Sequence, residues 1–338
     1  MLVTICTIRQ LPQAFALGDS FSAYAIDTNG QPEPFLIGLA DDPAHLPVNF
    51  VSAYPLLPIG AMLSPATLAA LSASYTPTEF AAACKPMFLA EIFRRYPAVS
   101  QLVYADPNVL FSSSLTAIWN QLSTANALLT PHITKQTDDL AWPDEKFFQN
   151  VGLYSADFLA FRRSDETDRL LDWWHNRIQS RAYINFCAGL CTDQLWLMHM
   201  PVFFQHIQII KNPGWHVALW NLPERTLHLE AIGWQVTGPT NTRHPLVFFN
   251  AKGLFKIDEG FFPYQTRLRL SNRPDMRALL ATYKEAVAVH ASQALVEILP
   301  AYGHQPEPAV LRGWRRATVQ SMRAIARFVD QLPLLNIR

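Results

Sequence analysis

The chain reads as an α/β protein with a helical extension at its C-terminal end. Three observations predict this. Short apolar, β-branched runs alternate with helical patterns over the first two-thirds of the sequence. Half of the 338 residues are apolar and only 16% are charged. From Asp275 onward the pattern is helical, apart from a linker-like stretch at 300–308. Alternation of this kind predicts a sheet with helices on both faces. The length suffices for one large core, or for a core domain plus a smaller one.

The elements follow in order. Residues 2–7 predict a first strand, 15–24 a helix, and 34–39 a second strand ending at Asp41-Asp42. Thr76-Pro-Thr-Glu79 is a capping-box pattern with proline at the first helical position. It opens a helical region to Tyr96 that Pro86 should interrupt, because the residue before a proline is pushed out of the helical region. A strand then ends at Asp106, and residues 113–124 predict a helix. Residues 128–130 and 158–161 predict short strands. Ser164 caps a helix in which Leu170, Leu171, Trp174 and Ile178 recur at helical spacing. Thr192 caps another, bearing Leu195, Trp196 and Met200, and residues 207–210 and 246–249 predict further strands.

Residues 300–308 resemble a linker. A final helix over 310–329 places Leu311, Trp314, Thr318, Met322, Ile325 and Val329 along one side. Arg312, Arg315, Arg316, Arg323 and Arg327 crowd the rest. Two readings stand: a helix docked on its parent domain with a solvated arginine face, or one that makes peripheral contact with an anionic membrane surface. The division that follows is a domain over 1–270 and a helical extension over 271–338.

Composition excludes several classes. Lysine plus arginine equal aspartate plus glutamate at 27 each, so no basic footprint points to nucleic acid. No apolar run is long enough to span a bilayer. Residues 1–9 read as a strand rather than a leader peptide, which predicts a cytoplasmic setting. Cys6, Cys84, Cys187 and Cys191 are dispersed in apolar sequence, so buried thiols are expected rather than disulfides or a zinc site.

The richest stretch is Gln101-Leu-Val-Tyr-Ala-Asp106-Pro-Asn108-Val-Leu-Phe111. A buried strand ends on an acid, a proline and an amide, and the proline forces a turn. Oxygen-bearing side chains are thus set at the carboxyl end of a strand, where open α/β sheets bind ligands. Asp-x-Asn there suits a hard cation carrying a diphosphate. It equally suits an Asx turn that simply ends a strand. Lys85 precedes the expected helix break, and Asn150-Val-Gly152 is a tight, amide-bearing turn. Asp193-Gln194 is expected in the first turn of a helix, and Asn250-Ala-Lys-Gly253-Leu-Phe-Lys256 follows a strand.

The order of these segments resembles the bacterial nucleotide-sugar glycosyltransferases of the GT-A fold, related to glycosyltransferase family 8. The likeness runs from Thr4 to about Gly260. It is carried by Cys84-Lys85-Pro86, Tyr104-Ala-Asp106-Pro-Asn108, Leu129-Thr-Pro131-His132, Asn150-Val-Gly152-Leu-Tyr154, Asp193-Gln194-Leu-Trp196, Trp220-Asn221 and Asn250-x-x-Gly253-x-x-Lys256. It implies a GT-A-like mixed sheet flanked by helices. It also implies transfer of a sugar, with retention, from a UDP- or GDP-linked donor to a saccharide or lipid-linked acceptor in envelope polysaccharide assembly.

The resemblance also implies roles. Asp106 would hold Mn²⁺ or Mg²⁺ across the donor's phosphates in a DxD-like motif, with Asn108 in place of its second acid and Asn250 in place of a metal-binding histidine. Two such changes weaken a metal site, which either binds its cation loosely or relies on Lys256 and Lys85 for phosphate charge. Thr7 and Asp41 match positions near the base and ribose, Asn150, Gly152 and Gly253 match turns beside the donor, and Asp193 and Gln194 match the pair beside the transferred sugar. Read singly, each has a structural alternative: His132 as a hydrogen-bonder, the tryptophans as core. Two rival functions follow from the departures and the arginine-rich helix: a catalytically impaired nucleotide- or sugar-binding relative, and a scaffold acting through the last helix.

Overall fold

A seven-stranded mixed sheet, in the order β10-β6-β7-β4-β1-β2-β3, carries the chain. The computed structural model describes residues 1–26, 30–137, 141–256, 260–261 and 265–304, with Trp314, Thr318, Ser321, Met322 and Ile325. β1 (Leu2–Cys6) leads through α1 (Leu11–Tyr24) to β2 (Phe35–Leu39) and β3 (Leu56–Pro58). α2 (Pro65–Ser74) and α3 (Pro77–Arg95) return it to β4 (Gln101–Ala105) and β5 (Val109–Phe111). α4 (Thr116–Leu122), β6 (Ala127–Pro131), α5 (Glu145–Val151), β7 (Tyr154–Arg162) and α6 (Asp165–Ile178) follow.

β8 (Ile184–Asn185) and β9 (Leu190–Cys191) pair as a short hairpin before α7 (Met200–Phe203) and β10 (Ile207–Ile209). β11 (Val217–Ala218), β12 (Thr226–Glu230), β13 (Gly233–Thr237), β14 (Arg243–Pro245) and β15 (Phe248–Asn250) complete the strands. α8 (Pro274–Val289) and α9 (Gln293–Val296) come last.

β1 runs parallel to β2 and β4, whereas β7 is antiparallel to both β4 and β6. The expected mixed sheet flanked by helices is therefore the one found. Its central strands are apolar on both faces because both are covered. Val3, Ile5 and Tyr104 pack with Phe88, Leu89 and Ile92 of α3 on one side. Leu2, Ile37 and Val103 pack with Phe15 and Phe21 of α1 on the other. From β1 the chain steps outward to β2 and β3, then crosses to β4 on the opposite side of β1. Strand order thus reverses between β1 and β4, and the carboxyl ends of those strands flank a switch-point crevice.

A second sheet, β11-β15-β5, brings a distant segment to this crevice. Asn250 at the end of β15 sits opposite Val109 of β5, beside the Asp106–Asn108 turn. Residues Met1–His304 form one compact unit, which takes in α8 as well as the sheet. Gln305–Arg338 form another, whose described residues are helical and whose arginine face lies outside the described residues. No helix among the described residues is long and apolar enough to cross a membrane.

Several local expectations need correction. Pro86 does not interrupt α3, which continues through it, with Phe88, Leu89 and Ile92 fully buried beyond. Their burial outweighs the roughly 3 kcal/mol that a helix-interior proline costs. Lys85 therefore lies mid-helix and is buried. Thr192 does not cap an α-helix. It is left-handed (φ 49°), and Asp193 and Gln194 lie in a turn before a 3₁₀ segment, Leu195–His199. Cys187 is exposed, unlike the other three thiols.

Candidate active site at the sheet rim

The crevice is floored by the turn that follows β4. Asp106 Oδ1 accepts from the backbone N–H and the side-chain amide of Asn108, both at 3.0 Å. The Asx turn is thus real, and it holds Asp106 and Asn108 as a rigid pair. Asn108 O accepts from Ala251 N, so the turn after β15 is pinned to it. In that second turn Asn250 Oδ1 accepts from Lys252 N at 2.9 Å, and Gly253 supplies a positive φ of 74°. These bonds deliver Lys252, which sequence reasoning passed over in favour of Lys256. Lys252 Nζ lies 2.6 Å from Asp106 Oδ2 and 2.5 Å from Asp157 Oδ1. Lys256 is half-buried just beyond.

Asp157 was also missed. Its only sequence signal is an acid inside the apolar run Ser155-Ala-Asp157-Phe-Leu-Ala-Phe161 of β7. Asn250 Nδ2 donates to Asp157 Oδ2 at 2.9 Å and lies 3.2 Å from His216 Nε2. Since Asn250 Oδ1 takes the Lys252 N–H, the amide orientation is fixed and His216 Nε2 must accept. His216 Nδ1–H then donates to Thr130 Oγ1 at 2.7 Å. The imidazole is neutral, and burial pushes it down to about 3. Burial pushes the Asp106 carboxyl up against the pull of Lys252. Burial works the same way on Asp157, but Lys252 more than offsets it and holds that carboxyl below the usual range. Two carboxylates share one ammonium and titrate as a coupled pair.

A second charged pair joins Lys85, expected beside the donor phosphates, to Asp193, expected beside the transferred sugar. Lys85 Nζ is 2.5 Å from Asp193 Oδ2, donates to Ala156 O at 2.9 Å and lies 4.6 Å from the centre of the Tyr104 ring. Gln194 accepts from Ala156 N and donates to Val151 O, so its amide is clamped between β7 and the end of α5. Gly152 ends α5 with φ 106°, and its carbonyl accepts from His132 Nδ1 at 2.8 Å. His132 is thus the structural hydrogen-bonder its position suggested, and burial lowers it to about 4. His132, Asp157, Gln194, Trp220, Lys252, Gly260 and Phe261 line a small cavity.

Other expected site residues stand differently. Asn150 is exposed in the last turn of α5. Asp41 is fully buried and accepts from Ile8 N, Asp42 N and Ala301 N, and Thr7 hydrogen-bonds Gln10. Both serve the fold at the ends of β2 and β1, beside the crevice. Trp174, Trp215 and Trp220 are core residues, as tryptophans commonly are.

The donor set does not fit a divalent ion. Asp106 offers one oxygen to Asn108 and the other to Lys252, Asn250 Oδ1 is taken by Lys252 N, and Asn108 Oδ1 accepts from Tyr283 OH. Among the described residues, no group of three or more His, Cys, Asp or Glu side chains could hold a metal ion.

No protein-family model matches the chain. Among curated proteins it is similar to the uncharacterized protein YfnD of Bacillus subtilis (strain 168), at 18% identity over 216 residues. That alignment covers 61% of this chain and 63% of YfnD, so the chain spans less than two-thirds of the relative's length. Among solved structures it is similar to galactosyltransferase LgtC in complex with donor and acceptor sugar analogs. That likeness has 14% identity and a TM-score of 0.45, covering 89% of this chain and 97% of the other. An active-site mutant of LgtC gives 13% identity and a TM-score of 0.44, with the same coverages.

Proposed function

We propose that the chain is a GT-A-like glycosyltransferase. It would move a sugar from a UDP- or GDP-linked donor to a saccharide or lipid-linked acceptor, in envelope polysaccharide assembly at the cytoplasmic side. One observation carries this reading. The Asp106–Asn108 turn at the switch point is bonded to the Asn250–Lys252 turn from a distant strand, and Lys252 and Gln194 line one small cavity. The sequence resemblance assigns Asp106, Asn108 and Asn250, with Lys85, to the donor phosphates and their cation, and Asp193 and Gln194 to the sugar. From the ion pairs we add Lys252 to the first group and give Lys85 to Asp193.

The chemistry suits that division. Glycosyl transfer passes through a cation-like sugar, and the leaving diphosphate gathers negative charge. An ammonium held at the rim, Lys252, opposes that developing charge. The Asp193 carboxylate, fixed by Lys85, and the clamped amide of Gln194 orient the sugar and stabilise its positive charge without rearranging. No step here runs through a divalent ion, because the oxygens that would ligate one are engaged.

One observation favours a second reading, an impaired donor-binding relative. Asp106, Asp157 and Lys252 place two negative charges against one positive charge at the expected phosphate site. Turnover separates the two readings. With a panel of UDP- and GDP-sugars, an enzyme releases nucleoside diphosphate from one donor, and Lys252→Met lowers that rate at least about 100-fold, the scale of removing one preorganised electrostatic group. Nucleotide binding with no release from any donor supports the second reading instead.

A further inference from the structure

We propose that the Lys252 ammonium is the resident cation of this site and excludes a divalent ion from it. The proposal rests on the glycosyltransferase reading for its ligand, a nucleoside diphosphate, but not for its geometry. A cation bridging the phosphates would have to sit against the Asp106 carboxylate. That place is held by Lys252 Nζ, which also binds Asp157, an acid delivered from a different strand. Lys252 is not a swinging surface lysine. Its backbone N–H is bound by Asn250 Oδ1, and the turn that bears it is tied through Ala251 N to Asn108 O.

The three side chains expected to ligate a metal point their chemistry elsewhere. The Asn250 amide turns its N–H₂ group to Asp157 and His216, and its oxygen to the backbone. An amide N–H group cannot serve as a ligand where a histidine nitrogen would. Asn108 gives its N–H to Asp106 and its oxygen to the Tyr283 hydroxyl. A divalent ion at bonding distance from Asp106 would therefore have to expel the ammonium and break both ion pairs. The ammonium itself can do part of the ion's work. Two of its three N–H donors go to carboxylates, and Lys252 lines the cavity that also contains Gln194. A third N–H remains for a phosphate oxygen, which a compact ammonium binds as a point charge.

Two arms test this on the full chain. In the first, Mn²⁺ alone is titrated into the protein and free Mn²⁺ is followed by electron paramagnetic resonance. The wild type should leave the free-ion signal undiminished, whereas Lys252→Met, which strips the ammonium from two carboxylates, should bind Mn²⁺ at least tenfold more tightly. Stoichiometric Mn²⁺ uptake by the wild type, lost in Asp106→Asn, overturns the proposal, and so does a folded K252M that binds no better. Should K252M fail to fold, the wild-type titration alone decides. In the second arm, UDP and GDP are titrated calorimetrically in EDTA and in Mn²⁺. Equal affinity within twofold supports the proposal, and binding only with Mn²⁺ overturns it. Failure of both nucleotides to bind counts against the glycosyltransferase reading, while the Mn²⁺ arm still judges the role of Lys252.

Discussion

Lys252 Nζ reaches Asp106 Oδ2 at 2.6 Å across 146 residues of sequence. The contact joins the carboxyl end of β4 to the turn after β15 and is made within a buried carboxylate pair, since Asp157 lies 2.5 Å from the same nitrogen. Removing one partner of a buried ionic cluster leaves the others unpaired, which costs more than the pair itself contributes.

Lys252→Met should therefore lower unfolding stability by about 3–5 kcal/mol, measured by urea denaturation. Adding Asp157→Asn to K252M should recover a large part of the loss by removing the repulsion between facing carboxylates. No recovery would show that the two acids do not repel in the folded state.

The Lys85–Asp193 pair makes a matching prediction. Both side chains are nearly inaccessible, at 7% and 4%. A double-mutant cycle with Lys85→Met and Asp193→Asn should give a coupling of about 2 kcal/mol, within the range for residues in direct contact. Coupling near zero would show that each is satisfied independently, Lys85 by Ala156 O and Asp193 by water.

Gly152 links a backbone requirement to this site. Its φ of 106° is one that side-chain-bearing residues avoid, and an added Cβ would lie 3.2 Å from Gln194 O. Gly152→Ala should cost about 1–3 kcal/mol in a thermal or urea melt. It should also shift Gln194, so any donor turnover should fall more than its stability loss explains.

Two buried imidazoles set an acid limit. His132 and His216 have folded values lowered to about 4 and about 3, below the unfolded value near 6.5. The unfolded chain then binds the extra protons first as pH falls. The stability of the neutral imidazoles is present above about pH 6.5 and is lost progressively below it, at up to about 1.4 kcal/mol per pH unit for each histidine. Asp106, raised by burial, works in the opposite direction and reduces the net slope. Melting temperature should fall between pH 6.5 and 5, and the fall should be shallower in His132→Asn.

The sheet was largely legible because its signals are local. Apolar runs ending at Asp41-Asp42 and Asp106 mark β2 and β4, and Thr76-x-x-Glu79 and Ser164 are caps in the folded chain as in the sequence. What escaped was set by tertiary context. Pro86 breaks an isolated helix, but α3 is held on both sides of it by the core. Asp193 and Gln194 look like a first helical turn, yet Thr192 is left-handed and the following segment is 3₁₀.

In the candidate site, Asp106, Asn108, Asn250, Lys85, Asp193 and Gln194 are all buried around one rim, as their order along the chain suggested. Lys252 and Asp157 were not seen, because neither falls on the motif positions. Lys252 is brought in by an Asx-like turn, and Asp157 by the pleat of a strand that lies antiparallel between β4 and β6. A lysine two residues after a strand-ending asparagine is the only sequence sign of the first.

The most direct measurement of the central claim is calorimetric titration of UDP and GDP into the wild type, Lys252→Met and Asp106→Asn. A rim that grips linked phosphoryl groups should bind one of the two nucleotides, and Lys252→Met, which removes the ammonium that faces the phosphates, should weaken that binding at least tenfold, whereas D106N, which keeps the ammonium, should not. No heat of binding with either nucleotide, in the presence or absence of Mn²⁺, would contradict the claim.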